Sequence, residues 1–137
     1  MNLLADSAAW LALYDRSDKY HTRARQALRE LAGRKINFIV TDYLIAEAIT
    51  LIRGRAGHAT AIMCGDWLLN SPRVRLIRAD IELWSEAWRL FKRYDDKEFS
   101  FVDCLSFVVM QRERLVEAFT FDHHFDQMGF RLWPGDK

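Results

Sequence analysis

The chain has little of what would staple, anchor or unstructure it. Its two cysteines, Cys64 and Cys104, stand far apart, with no CxxC and no zinc-ligand spacing. Two buried free thiols are therefore expected, and a disulfide framework is excluded. Two prolines, Pro72 and Pro134, and six glycines form no flexible linker. No apolar run approaches the ~18 residues of a membrane span. The N-terminal MNLLADSAAWLALYDR lacks a positive leader and is broken by Asp6, so it does not read as a signal peptide. A reducing cytoplasm is the expected compartment, with no membrane partner. An excess of one charge is also missing: 20 Lys+Arg meet 19 Asp+Glu, for a formal net charge of +1. That excludes a protein that grips nucleic acid by bulk basicity.

What is present is enough for a real core. With 137 residues, 50% of them hydrophobic and 13% aromatic, the chain suits one domain over 1–137 that buries roughly two-thirds of its unfolded surface. The charge is balanced but segregated. Residues 1–78 carry 12 Lys+Arg and 7 Asp+Glu, whereas 79–137 carry 8 and 12, so basic and acidic surfaces can coexist under the +1.

Short apolar runs alternate with helical patterns. Leu3–Ala5, Ile36–Val40, Val74–Ile77 and Ala118–Phe121 read as strands, and Phe130–Trp133 as a closing one. Helices are expected over Ala8–Leu13, Tyr20–Leu31, from a Thr41-Asp42 cap to Ile52, and over His58–Leu69, with two more capped by Asp80 and Ser100. The alternation predicts an α/β fold, a single α/β/α sandwich around a mostly parallel sheet of about four or five short strands. Ile81, Trp84, Trp88 and Phe91 fall on one helix face. These tryptophans are expected in the core, with a dimer surface as the alternative.

Four acids hold distinctive places. Asp6 ends the first strand and Asp122 the fourth, Glu47 lies in the helix after the second strand, and Asp103 in the first turn of its own helix. In an open parallel sheet, residues beyond the carboxyl ends of strands line one crevice. Carboxylates gathered there repel and raise one another's pKa, a penalty that a divalent cation removes. Oxygen ligands without cysteine or paired histidine favour a hard ion, Mg²⁺ or Mn²⁺. Each acid also has an ordinary reading: Asp6 and Asp122 as helix caps, Ser100-x-x-Asp103 as a capping box, Glu47 and Asp126 as surface charges. Their joint placement is what points to a metal. His123-His124 cannot make an HExxH site, since adjacent helical residues diverge by about 100°; they are expected as surface or supporting groups near Asp122. Asp6-Ser7-Ala8 lacks the DxD of a haloacid-dehalogenase-like phosphatase, and the paired early acids and strand-end lysine of a receiver domain are also missing.

The same residues resemble the PIN-domain ribonucleases, and in particular the VapC-type toxins of prokaryotic toxin–antitoxin pairs. The resemblance spans essentially the whole chain: Leu3-Leu4-Ala5-Asp6-Ser7, Thr41 to Glu47, Phe99 to Phe107 around Asp103, and Ala118 to Phe125 around Asp122, followed by Gly129-Phe130. One departure is Ala8, where the family usually has Ser or Asn; it predicts thinner hydrogen-bonding support for the acids. The resemblance implies metal-dependent hydrolysis of RNA phosphodiesters, leaving a 5′-phosphate and a 3′-hydroxyl. Asp6 and Asp103 would be the principal Mg²⁺ (or Mn²⁺) ligands, with Glu47 and Asp122 completing the catalytic cluster and Ser7, Ser100, Thr120 and Asp126 orienting it. Arg23, Arg25, Arg53 and Arg55, with Arg16, Lys19 and Arg29, would offer phosphates a basic rim. A small VapB-like antitoxin and a homodimer are the implied partners. The alternative is a non-catalytic PIN-like module that binds RNA or protein, which would have no need of four repelling acids.

Overall fold

A computed structural model describes residues 1–135. Five strands, β1 (Asn2–Ala5), β2 (Asn37–Thr41), β3 (Val74–Ile77), β4 (Glu117–Phe119) and β5 (Arg131–Trp133), form one sheet in the order β3-β2-β1-β4-β5. Every neighbouring pair is parallel. Seven helices connect or flank them: α1 (Ser7–Tyr14), α2 (His21–Leu31), α3 (Asp42–Ala56), α4 (His58–Asn70), α5 (Ile81–Arg93), α6 (Phe101–Arg112) and α7 (His124–Gln127). This is the expected α/β class, with a sheet that is wholly parallel.

Parallel strands buried on both faces need apolar side chains at every position, and the central strands supply them. Successive residues point to opposite layers. Leu3, Ala5, Phe38, Val40 and Phe119 enter one core, with Trp10, Ala48, Ile52, Cys64 and Leu68 from the helices. Leu4, Ile39 and Ala118 enter the other, with Leu83, Ala87, Leu105, Phe107 and Phe125. Both cysteines are free and buried, as the sequence predicts, and burial pushes their thiols up to about 12 for Cys64 and about 11 for Cys104.

Two boundaries differ from the sequence reading by more than one residue. α3 continues past Ile52 to Ala56 and is closed by Gly57, whose φ of 95° suits glycine and whose N–H donates to the Arg53 carbonyl. β4 stops at Phe119, two residues early, because the Thr120 N–H turns to the Trp133 carbonyl at 3.1 Å and the chain bends away after it. The tryptophan expectation is corrected in part. Trp10 is buried, but Trp84 and Trp88 stand 38% and 45% exposed, and Ile81 78%. The inner face of α5 is instead filled by Leu83 and Ala87, leaving the aromatic stripe on the rim.

The topology fixes where a ligand can sit. From β1 the chain moves outward through β2 to β3, then returns to β4 on the other side of β1. Beyond the carboxyl ends of β1 and β4 lies the switch point of the sheet, where the outgoing connections diverge and leave a crevice.

Candidate active site

Asp6 follows β1 directly and is the N-cap of α1, so its carboxylate is drawn toward the helix amides rather than into solvent. Oδ1 accepts the Ala9 N–H at 3.1 Å, and Oδ2 accepts the Thr120 hydroxyl at 2.6 Å. The residue is only 4% exposed. Burial pushes its carboxyl up to about 7; the bonds from Thr120 and Ala9 oppose that rise, while the nearby charges of Asp122 and Asp103 add to it.

Asp103 reaches the same crevice from α6. Its backbone N–H donates to Ser100 Oγ and its Oδ2 accepts the Ser100 N–H, both at 3.0 Å, completing a capping box. That same Oδ2 stands 3.1 Å from His124 Nδ1. Its carboxyl is also raised, first by burial and further by Asp122, with Ser100 and His124 acting against the rise.

Asp122 lies in the bend after β4. Its N–H donates to Thr120 Oγ1 at 2.9 Å, and its Oδ1 accepts the His124 N–H at 2.9 Å while standing 3.2 Å from His124 Nδ1. Thr120 is thus a hinge pin: one buried hydroxyl donates to Asp6 and accepts from Asp122. Glu47 joins through Ser7, whose hydroxyl donates to Glu47 Oε1 in a short hydrogen bond. Ser7 therefore anchors an acid, answering the gap expected from Ala8.

Asp103, Asp122 and His124 each offer a ligand atom within 4.8 Å of the others. Asp6 is tied to this trio through Thr120, and Glu47 is held by Ser7, the neighbour of Asp6; neither acid belongs to the trio itself. Asp126 stays exposed on α7, outside the trio. The arginines divide. Arg55 borders an open cavity of about 690 Å³ that also takes in Asp122 and His124. Arg23 packs its guanidinium 5.6 Å from the Phe121 ring and donates to the Gly135 carbonyl. Arg25 lines a different cavity, of about 650 Å³, with Trp10, Tyr14, Leu28 and Trp67, and Arg53 is exposed on α3. His124 is the residue sequence reasoning underrated. It is held beside the acids by its backbone N–H on Asp122 Oδ1 and by its ring edge-on to Phe99, 5.5 Å between centroids.

The PIN domain pattern matches residues 3–131 of the chain. This chain belongs to the PIN-domain family. Two relatives, the "23S rRNA-specific endonuclease VapC20" of the CDC 1551 and H37Rv strains of Mycobacterium tuberculosis, are each 32% identical over 129 residues, 93% of this chain and 95% of theirs. The crystal structure of Mycobacterium tuberculosis VapC20, described as a sarcin–ricin loop cleaving toxin, superposes with a TM-score of 0.85 at 30% identity, covering 93% of this chain and 95% of that one. Among the described residues no helix is long and apolar enough to cross a membrane.

Proposed function

We propose that this PIN domain, one unit over 1–137, is a divalent-cation-dependent endoribonuclease of the VapC type and the toxin of a toxin–antitoxin pair. The observation that carries the reading is the gathering of Asp6, Asp103 and Asp122 at one switch point, close enough for Asp103 and Asp122 to raise the Asp6 carboxyl and for Asp122 to raise that of Asp103. A chain that only bound RNA or protein would gain nothing from holding polyanion-repelling acids there. The donor set is carboxylate oxygen with one imidazole, which fits Mg²⁺ or Mn²⁺. Asp103 and Asp122 would hold the ion, with Asp6 and Glu47 beside them. Such an ion polarises a phosphate and lowers the pKa of an attacking water.

The chain's own residues do the rest. Thr120 and the Ala9 amide fix both oxygens of Asp6, Ser7 fixes Glu47, and Ser100 fixes Asp103, so the acids are oriented before any cation arrives. The basic side chains at the rim offset the repulsion between acids and an incoming polyanion.

The expected partners are RNA, a small VapB-like antitoxin and a second copy of the chain. Both relatives carry names that point to 23S rRNA, so that RNA is the first substrate to offer. The half-exposed stripe of Trp84, Trp88 and Phe91 on α5 supports a homodimer. The test is cleavage of total RNA with sequencing of the 5′-phosphate ends. Wild type should produce discrete new ends with Mg²⁺ and none with EDTA, and Asp6→Asn and Asp103→Asn should produce none. Undiminished Mg²⁺-dependent cleavage in both variants would overturn the assignment.

A further inference from the structure

Tyr20 and Phe121 form a parallel aromatic pair, 4.5 Å between centroids with 2° between planes. Tyr20 is the residue that opens α2, and Phe121 immediately precedes Asp122. Both rings are partly exposed and both line the 690 Å³ cavity that Asp122, His123 and His124 border, a volume that suits a nucleotide. Cations surround the pair. Lys19 Nζ lies 5.0 Å from the Tyr20 ring, and the Arg23 guanidinium lies 5.9 Å from Tyr20 and 5.6 Å from Phe121. Arg55 borders the same cavity with its side chain 60% exposed and 3.9 Å from Asp18. At 3.9 Å the contact is long and the guanidinium itself lies in solvent although Asp18 is mostly covered, so the guanidinium can turn to a phosphate at modest cost.

Packing alone does not account for this. Both rings touch the core at their inner edges, Phe121 6.3 Å from Phe119, but a purely structural pair has no use for a guanidinium over both rings, an ammonium over one and a cavity beside them. Stacked aromatics flanked by Lys and Arg are what a single-stranded polynucleotide requires: π-faces for bases and positive charge for the backbone. A base inside an A-form duplex offers no free face, so the base received must be unpaired.

The geometry points to the Tyr20–Phe121 pair as a stacking platform for an unpaired RNA base beside the scissile phosphate, with Lys19, Arg23 and Arg55 meeting the adjoining phosphates. It rests on the endoribonuclease reading, whose acids lie one residue from the platform. The platform selects substrates by unpaired geometry at a fixed distance from the acids, with little preference for which base stacks.

The test separates stacking from cleavage. RNA oligonucleotides carrying 2-aminopurine at successive positions of a loop are titrated with the full chain in EDTA, where metal-dependent cutting is off. Wild type should quench the fluorophore at one loop position. Tyr20→Phe and Tyr20→Trp should keep both quenching and affinity, whereas Tyr20→Leu should lose the quenching and bind roughly 10- to 100-fold more weakly. With Mg²⁺, Tyr20→Leu should raise KM and leave kcat nearly unchanged. Circular dichroism and melting verify that the leucine variant is folded; if it is not, Lys19→Ala with Arg55→Ala takes its place, with the same expected loss of affinity. Quenching without cleavage would keep the platform and overturn the nuclease reading. Cleavage with no quenching at any position, or with Tyr20→Leu binding like wild type, would overturn the platform; the latter would also arise if the rings instead seat a protein partner.

Discussion

The buried carboxyl of Asp6 makes the stability of the metal-free protein depend on pH in a calculable way. An aspartate ionises near 3.8 when unfolded, whereas burial holds Asp6 up to about 7 in the folded chain. Between those values the unfolded state releases a proton that the folded state keeps, so unfolding is favoured progressively as pH rises. The loss starts near pH 4, grows to about pH 7 and then levels off, reaching about 4 kcal/mol. Asp103, raised for the same reason, acts in the same direction. Asp6→Asn removes the ionisation. It keeps an acceptor for the Ala9 amide but meets Thr120 with an NH₂ where the hydroxyl now donates, a mismatch worth about 1–2 kcal/mol. At pH 8 in EDTA the variant should therefore be more stable than wild type by about 2–3 kcal/mol, on the order of 10 °C in Tm, and at pH 4 no more stable. Thermal and urea melts at pH 4 to 9 with EDTA read this directly. Saturating Mg²⁺ should close the gap at pH 8 by stabilising wild type alone. Parallel pH profiles for the two proteins, or a wild type whose Tm rises from pH 5 to 8, would refute the burial of an ionisable acid at this site.

Ser7→Ala should release Glu47 and slow RNA cleavage by about tenfold while Tm stays within a few degrees; an unchanged rate would show that the Ser7–Glu47 bond is idle. His124→Ala removes the ring between Asp103 and Asp122, leaving the two acids to repel. Its stability loss should be clear in EDTA, about 1 kcal/mol by urea melts, and smaller in saturating Mg²⁺, and equal losses would refute the clamp. Trp88→Glu should convert a dimer to a monomer by light scattering with little change in Tm, because the ring is already 45% exposed; an unaltered mass would exclude the α5 face as the interface.

The sheet was legible because its strands centre on short apolar runs flanked by helical periodicity, and the central strands, buried on both faces, leave little room for polar interruption. Asp6, Asp103 and Asp122 could be singled out for a related reason: each sits where a local element begins or ends, and the parallel topology carries such places to one edge, whereas Glu47 lies inside α3 and meets Ser7 only through the fold. His124 could not, because its contacts depend on the bend that follows Thr120, where no periodicity operates. The α5 stripe misled in the opposite way. Its i, i+3, i+7 spacing is that of a core face, but Leu83 and Ala87 sit close by on the same helix and take the inward arc. Periodicity identifies an apolar stripe without saying whether a neighbour of the same chain covers it. The Tyr20–Phe121 pair joins residues about a hundred positions apart, a contact that no local pattern announces.

Capping and catalysis are usually weighed as rivals for an acid in a first helical turn, and on the proposed function the same atoms would serve both. Asp6 caps α1 through Oδ1 while Oδ2 faces Thr120, and Asp103 closes the box on α6 with the oxygen that also meets His124. The amide ends of two helices thus supply partial positive charge to an acid cluster that has to exist before its cation binds. Those donors lower what burial raises, so the carboxylates can be packed together at tolerable cost and stay oriented in the empty state. The near-neutral net charge belongs to the same arrangement. Acids concentrated at the carboxyl edge of the sheet are balanced by lysines and arginines around the groove leading to it, and a polyanion meets the rim before it meets the acids. A cluster built this way should bind its cation with little rearrangement of Asp6 or Asp103, because the hydrogen bonds that would otherwise have to form on binding are already in place.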